Sequence, residues 1–128
     1  MGRLIIEQLK PRAERLFKIT AVGTNSIATA TMLKAGADYG ATGENPVLVN
    51  CRDAHVVVGP IGIIAADALF GEVTAAMASA VGSCSAQKVL LPVSRCRISV
   101  MGVSSLPAAE LVSLAVRQVL DIVGEENA

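Results

Sequence analysis

Val56-Val57-Val58-Gly59-Pro60-Ile61-Gly62-Ile63-Ile64-Ala65-Ala66-Asp67 is a run of three valines, a turn with two glycines around Pro60 and Ile61, and an alanine-rich continuation. Consecutive β-branched residues read as a strand buried on both faces, because a strand with one wet face alternates apolar and polar side chains. The glycines permit a tight turn, and the alanines are expected to continue as a helix. A strand, a glycine turn and a helix N-terminus together present free backbone N–H groups and the positive end of the helix dipole to an anion.

On the N-terminal side, Phe17-Lys18-Ile19-Thr20-Ala21-Val22 alternates and is rich in β-formers, so it reads as a strand with one face less buried. Gly23-Thr24-Asn25-Ser26 follows, and then Ile27 to Lys34 at helical spacing; Asn25 or Ser26 can cap this helix, and Gly36 can stop it. The chain opens with an amphipathic helix, with Leu4, Ile5 and Leu9 on one side, expected to stop at Pro11. Between Asp38 and Asp53, Glu44-Asn45-Pro46 favours a short helix through Val47 to Asn50, although Val47-Leu48-Val49 also suits a strand.

On the C-terminal side, Glu72 to Val81 is helical in pattern, and Lys88-Val89-Leu90-Leu91-Pro92-Val93 is a short strand whose proline falls at its end. Arg97 to Val103 alternates and is expected to form a final edge strand. Ser105 and Pro107 begin the last helix, with Glu110, Ser113, Arg117 and Asp121 on its wet face, Val112, Ala115, Val116, Val119, Leu120 and Val123 on its dry one, and Gly124 at its end. Strands alternating with helices specify an α/β fold, a three-layer Rossmann-like arrangement in which a mostly parallel sheet carries helices on both faces. One domain is expected over residues 1–124, with a polar tail at 125–128.

Composition narrows the function classes. Apolar residues make up 52% of 128 residues but aromatics only 2%, so the core must be built from Val, Ile, Leu, Ala and Met. Eleven basic residues balance eleven acidic ones, which removes the electrostatic footprint of a nucleic-acid binder. No run approaches the roughly 20 apolar residues of a membrane span. Cys51, Cys84 and Cys96 are widely spaced and odd in number, so neither a disulfide framework nor a CxxC metal site is indicated, and a reducing cytoplasm is the expected compartment. No metal site is expected, and no cofactor is specified.

The runs Gly23-Thr24-Asn25-Ser26-Ile27-Ala28-Thr29-Ala30, Gly40-Ala41-Thr42-Gly43-Glu44-Asn45, Gly59-Pro60-Ile61-Gly62-Ile63 and Leu90-Leu91-Pro92-Val93-Ser94-Arg95-Cys96 resemble those of a small bacterial family of unknown function, Rossmann-like in appearance. The resemblance spans nearly the whole chain and brings no established activity with it. It implies a short apolar strand and a glycine-rich turn ending in Gly-Ile-Gly before the first helix, whereas this sequence opens Met1-Gly2-Arg3. Either Met1 is not the natural start, or the protein dispenses with that strand. In both cases a dinucleotide site does not carry over, because the loop that would hold a pyrophosphate is absent from this sequence. An unpaired strand edge and an uncovered helix face would favour self-association, a homodimer being the expected form.

In open parallel sheets ligands bind beyond the carboxyl ends of the strands. Here those ends supply Thr24, Asn25 and Ser26, then Gly59, Pro60 and Gly62, then Arg95, whose guanidinium offers a planar fork of donors. The expected function is a module binding a nucleotide or other phosphorylated small molecule. The alternatives are an enzyme of unknown reaction, with Cys96 or Glu72 carrying chemistry, and a structural self-associating subunit. Each residue also has a plain structural role: Thr24 and Asn25 as a helix cap, the glycines as turn formers, Arg95 as a solvated cation, Cys96 as a small buried side chain, and Glu72 as a carboxylate favoured by a helix dipole. Cys96 has no second histidine to act as its base, since His55 is the chain's one histidine.

Overall fold

The computed structural model describes residues 1–13, 16–93 and 97–126. The fold is mixed α/β. The order is α1 (Gly2–Ala13), β1 (Thr20–Gly23), α2 (Ser26–Lys34), β2 (Tyr39–Thr42), α3 (Glu44–Cys51), β3 (Val56–Pro60), a single 3-10 turn (Ile61–Ile64), α4 (Ala75–Ser83), β4 (Gln87–Leu91) and α5 (Ala108–Glu126).

Among the described residues the strands do not join into the one sheet expected from the sequence. They form two separate parallel pairs, β1 with β2 and β3 with β4. Thr20 stands opposite Tyr39 in the first, and Val56 opposite Gln87 in the second. This corrects the reading of the valine strand: Val56, Val57 and Val58 are only half-buried, because one edge of β3 has no neighbouring strand among the described residues.

The main core lies between helices and strands. Ile5 and Leu9 of α1, Val112, Ala115, Val116 and Val119 of α5, and Leu91 of β4 form one buried cluster. Phe17, Ile19, Val56, Val58 and Val89 pack against it from the strand layer. The apolar stripe of α5 expected from its spacing is therefore the stripe it buries, while Glu110, Ser113, Arg117 and Asp121 face solvent. A second cluster, Ala68, Val73, Met77 and Ala78, joins the loop after β3 to α4.

Four further expectations are corrected. Gly62 is not followed by an α-helix: the 3-10 turn ends at Ile64, Ala65 is extended, and Asp67, Leu69 and Phe70 take positive φ. Helix propensity loses there to tertiary packing, since the irregular path lets Ala65, Ala68, Leu69 and Val73 reach α4. The helix expected from Glu72 accordingly starts later, at Ala75. Arg97 to Val103 forms no strand; Arg97 and Gly102 have φ of 56° and 81°, which breaks an extended path. Helix α1 continues through Pro11 to Ala13, where the exposed proline sits in the last turn.

Other boundaries are close to the reading. Asn25 caps α2, and Gly36, with φ 118°, follows its end, a conformation open to glycine and costly for other residues. The Glu44–Cys51 helix settles the choice between helix and strand for Val47–Val49. Strand β2 is short and polar-flanked, and no apolar pattern in the sequence announces it. Strand β4 ends before Pro92, where a missing N–H costs no ladder bond. Helix α5 runs on through Gly124 to Glu126.

Candidate functional site

Strand β1 ends at Gly23, and α2 begins three residues later, so the chain must turn sharply against its own helix. A Cβ on Gly23 would fall on the Thr29 hydroxyl and lie 2.8 Å from the Thr29 amide nitrogen. Glycine is required here by close approach of helix and strand. The Thr29 hydroxyl, buried behind it, is 3.2 Å from the carbonyls of Asn25 and Ala41 and 2.8 Å from the Thr42 hydroxyl, tying α2 to the ends of β1 and β2.

Asn25 uses both ends of its amide. Its Oδ1 accepts from the Ala28 N–H at 2.9 Å, capping α2, and its Nδ2 donates to Glu72 Oε1 at 3.1 Å. Across the same end of the molecule, Thr74 Oγ1 donates to Glu44 Oε1 at 2.5 Å while accepting from Met77 N–H, so it caps α4 and tethers α3 at once. The loop between β3 and α4 is thus pinned to the carboxyl end of β1 through Glu72 and to the start of α3 through Thr74. Its own turns are closed by Asp67 N–H to Val73 O and Gly71 N–H to Asp67 O.

These contacts bring Thr24, Asn25 and Ser26 to the same end of the fold as Glu72. Thr24 is half-buried and Ser26 exposed. Gly59 and Gly62 are buried at the carboxyl end of β3, and Pro60 leads the 3-10 turn. With four residues, that turn supplies no extended helix dipole, so the anion cradle expected after the valine strand is reduced to backbone groups. Arg95 and Cys96 lie outside the described residues. Glu44 and Thr74 are not legible as site residues in the sequence; the signal for Glu44 is its place right after Gly43, whose φ of 104° marks the turn from β2 into α3. The charges in this pair of tethers, Glu44 and Glu72, are acidic.

Two cavities are lined by residues elsewhere. One of about 220 Å³ lies between the C-terminal ends of α3 and α4, lined by Leu48, Cys51, Arg52, Ala80, Cys84 and neighbouring serines. The other lies on the outer face of α5, against Glu110, Leu114 and Arg117. Cysteines far apart in sequence therefore meet in space. The Cys51 thiol is held above its ordinary range, first by burial and then by the Cys84 sulfur beside it.

At the opposite end of the strands, Asp38 accepts the Ile19 N–H at 2.8 Å and a hydrogen bond from the Lys10 ammonium at 3.1 Å. These contacts hold its carboxyl below the usual range, the backbone bond contributing most. Among the described residues no cluster of three or more His, Cys, Asp or Glu side chains is placed to hold a metal ion, and no helix is long and apolar enough to cross a membrane.

Comparison with curated proteins and with solved structures gave no match. Residues 1–124 match the profile of a family described as Domain of unknown function (DUF3842). That match takes in every described strand and nearly all of the five helices, from Met1 into the last turns of α5, and the chain accordingly belongs to this uncharacterised family.

Proposed function

We propose that the chain is a small-molecule-binding module with a three-layer Rossmann-like plan over residues 1–124, holding a nucleotide or other phosphorylated ligand beyond the carboxyl ends of its strands. The observation that carries this reading is the pinning of the β3–α4 loop by the Asn25–Glu72 and Glu44–Thr74 bonds, which gathers the ends of β1, β2 and β3 at one place. Thr24, Ser26 and the backbone from Gly59 through Pro60 to Gly62 supply hydrogen bonds in this reading. Glu72 and Glu44 suit ligand hydroxyls, since a carboxylate accepts from them and repels phosphate. Arg95 is the cation assigned to the phosphate. The expected setting is cytoplasmic, free of nucleic acid and membrane.

The test is a thermal-shift screen of nucleotides and sugar phosphates. A ligand of the native state raises the melting temperature with its concentration, by an increment set by RT ln(1 + [L]/Kd). Arg95→Ala should abolish most of the shift for a phosphorylated ligand and leave the unliganded melting temperature in place. Gly62→Val should abolish it as well, and Thr24→Ala, the milder change, should weaken it. Retention of the full shift in both Arg95→Ala and Thr24→Ala sinks the assignment. A catalytic version, with Glu72 or Cys96 acting on the bound ligand, would show turnover lost in Glu72→Gln or Cys96→Ser while the shift persists.

Exposed apolar side chains favour a second reading, a self-associating subunit. Phe70 is fully exposed at the tip of the β3–α4 loop, and Ile27 and Met101 are 79% and 85% exposed. Sedimentation velocity should then show a dimer that Phe70→Ser converts to monomer, without effect on any ligand shift.

A further inference from the structure

We propose that Cys51 and Cys84 form a reactive dithiol that closes to an intramolecular disulfide on meeting a low-molecular-weight disulfide, stapling the C-terminal ends of α3 and α4 together. Cys51 is the last residue of α3, and Cys84 is the residue directly after α4. Both line the cavity of about 220 Å³, where Ala80 and Ser83 on the facing turn of α4 leave room for close approach. Their positions differ in access: Cys51 is buried and Cys84 is partly open. The Cys84 thiol donates to the Val81 carbonyl at 3.2 Å, which fixes its rotamer at the cavity wall.

Two cations border this site. Arg52 lines the cavity, and the Lys88 ammonium donates to the Cys84 carbonyl at 2.8 Å. The thiolate is the form that attacks disulfides, and the partly open Cys84 is the thiol that a small disulfide can reach first. Cys84 is the entry thiol. Its sulfur, after losing its proton to solvent, attacks one sulfur of the small disulfide RSSR, forming Cys84–S–S–R and releasing RS⁻, which takes up a proton. Cys51 then loses its proton and attacks the Cys84 sulfur, forming the Cys51–Cys84 bond and releasing the second RS⁻, which is protonated in turn. The two cysteines are oxidised by two electrons, and RSSR is reduced to two RSH. Burial raises the Cys51 thiol pKa and shields the thiol from a small disulfide in solution, which suits it to the second, intramolecular step.

The experiment uses the full chain carrying Cys96→Ser, with oxidised glutathione as the probe, followed by alkylation with N-ethylmaleimide and mass spectrometry. Trypsin separates the two sites, since cleavage after Lys34, Arg52 and Lys88 leaves Cys51 in peptide 35–52 and Cys84 in peptide 53–88. The expected product is lighter than the starting protein by two hydrogen atoms, takes up no alkylating agent, and yields the two peptides as one linked species. In Cys51→Ala the glutathione should remain as a stable adduct on Cys84. A glutathione adduct that persists with Cys51 intact, or free alkylation of both cysteines after treatment, overturns the proposal. The linked-peptide measurement stands by itself where Cys51→Ala does not fold.

Discussion

Replacing Gly23 with alanine should cost this protein far more than a single methyl group suggests. The new Cβ would lie 2.8 Å from the Thr29 nitrogen and 3.0 Å from the Asn25 carbonyl oxygen, both backbone atoms at the start of α2. Backbone cannot swing aside as a side chain can, so the helix must move off the strand by several tenths of an ångström. Overpacking of this kind costs about 1–3 kcal/mol. Moving Thr29 also disturbs a buried hydroxyl that bridges Asn25, Ala41 and Thr42, worth about 1 kcal/mol more. The reduced entropy of the unfolded chain offsets roughly 0.4–1 kcal/mol. The net expectation is a loss of about 2–3 kcal/mol, read as a lower midpoint in urea denaturation at unchanged slope. Thr29→Ala removes the hydroxyl on which the new methyl falls, so the double variant should cost less than the sum of the singles by about 1 kcal/mol. A Gly23→Ala protein within about 0.5 kcal/mol of the parent, with no coupling to position 29, would refute the close-approach account.

Three further outcomes are expected. Asp38 has a depressed carboxyl pKa in the folded state, so its charge contributes stability that is present above the ordinary carboxylate value of about 4 and is lost as pH falls through the folded value. The stability gap between the parent and Asp38→Asn, measured by denaturant titration, should therefore be open at neutral pH and close below pH ~4; a gap that does not narrow in acid contradicts the assignment. Val112→Ala, at a side chain with no exposure in the middle of the main core, should destabilise by about 2 kcal/mol, and a change under ~0.5 kcal/mol would mean the core reading is wrong. Asn25→Ala should cost about 1 kcal/mol through the lost cap and also speed amide exchange in residues 65–74, whereas cap loss without that loop effect would show that the Glu72 bond does not hold the loop.

The helices are legible because their signals are local. Asn25 before Ser26, and Gly36 after Lys34, mark the ends of α2 within a few residues, and the apolar spacing of α5 fixes its buried face. What escapes a sequence reading is set by distant partners. Ile64-Ala65-Ala66 has the composition of a helix, yet the chain there follows the surface offered by Met77 and Ala78. The alternation from Arg97 through Ile98 to Val103 suggests a strand, but among the described residues no neighbouring strand pairs with it. The site is half legible. Asn25 and Glu72 each stand out in the sequence, but nothing there says that residues 47 apart share a hydrogen bond, nor that Cys51 and Cys84 line one cavity.

The division of the strands into two pairs has a mechanical consequence. Val56 and Val58 of β3 and Val89 and Leu91 of β4 meet the main core, as does Ile19 just before β1. In parallel pairing successive peptide groups point to opposite edges. The Tyr39 N–H bonds to the Ile19 carbonyl and the Gln87 N–H to the His55 carbonyl, and with the observed registers this turns the peptide groups of Thr20, Val22, Val56 and Val58 away from their partner strands. Among the described residues no main-chain ladder crosses between the two pairs, a gap bridged by α1 packed on α2 and α5 and by side-chain bonds such as Asn25–Glu72. Load applied across it would be borne by dispersion and hydrophobic contact, which yield gradually, whereas each strand pair would resist as a hydrogen-bonded unit. The fold behaves as two hydrogen-bonded plates laced together by their helices.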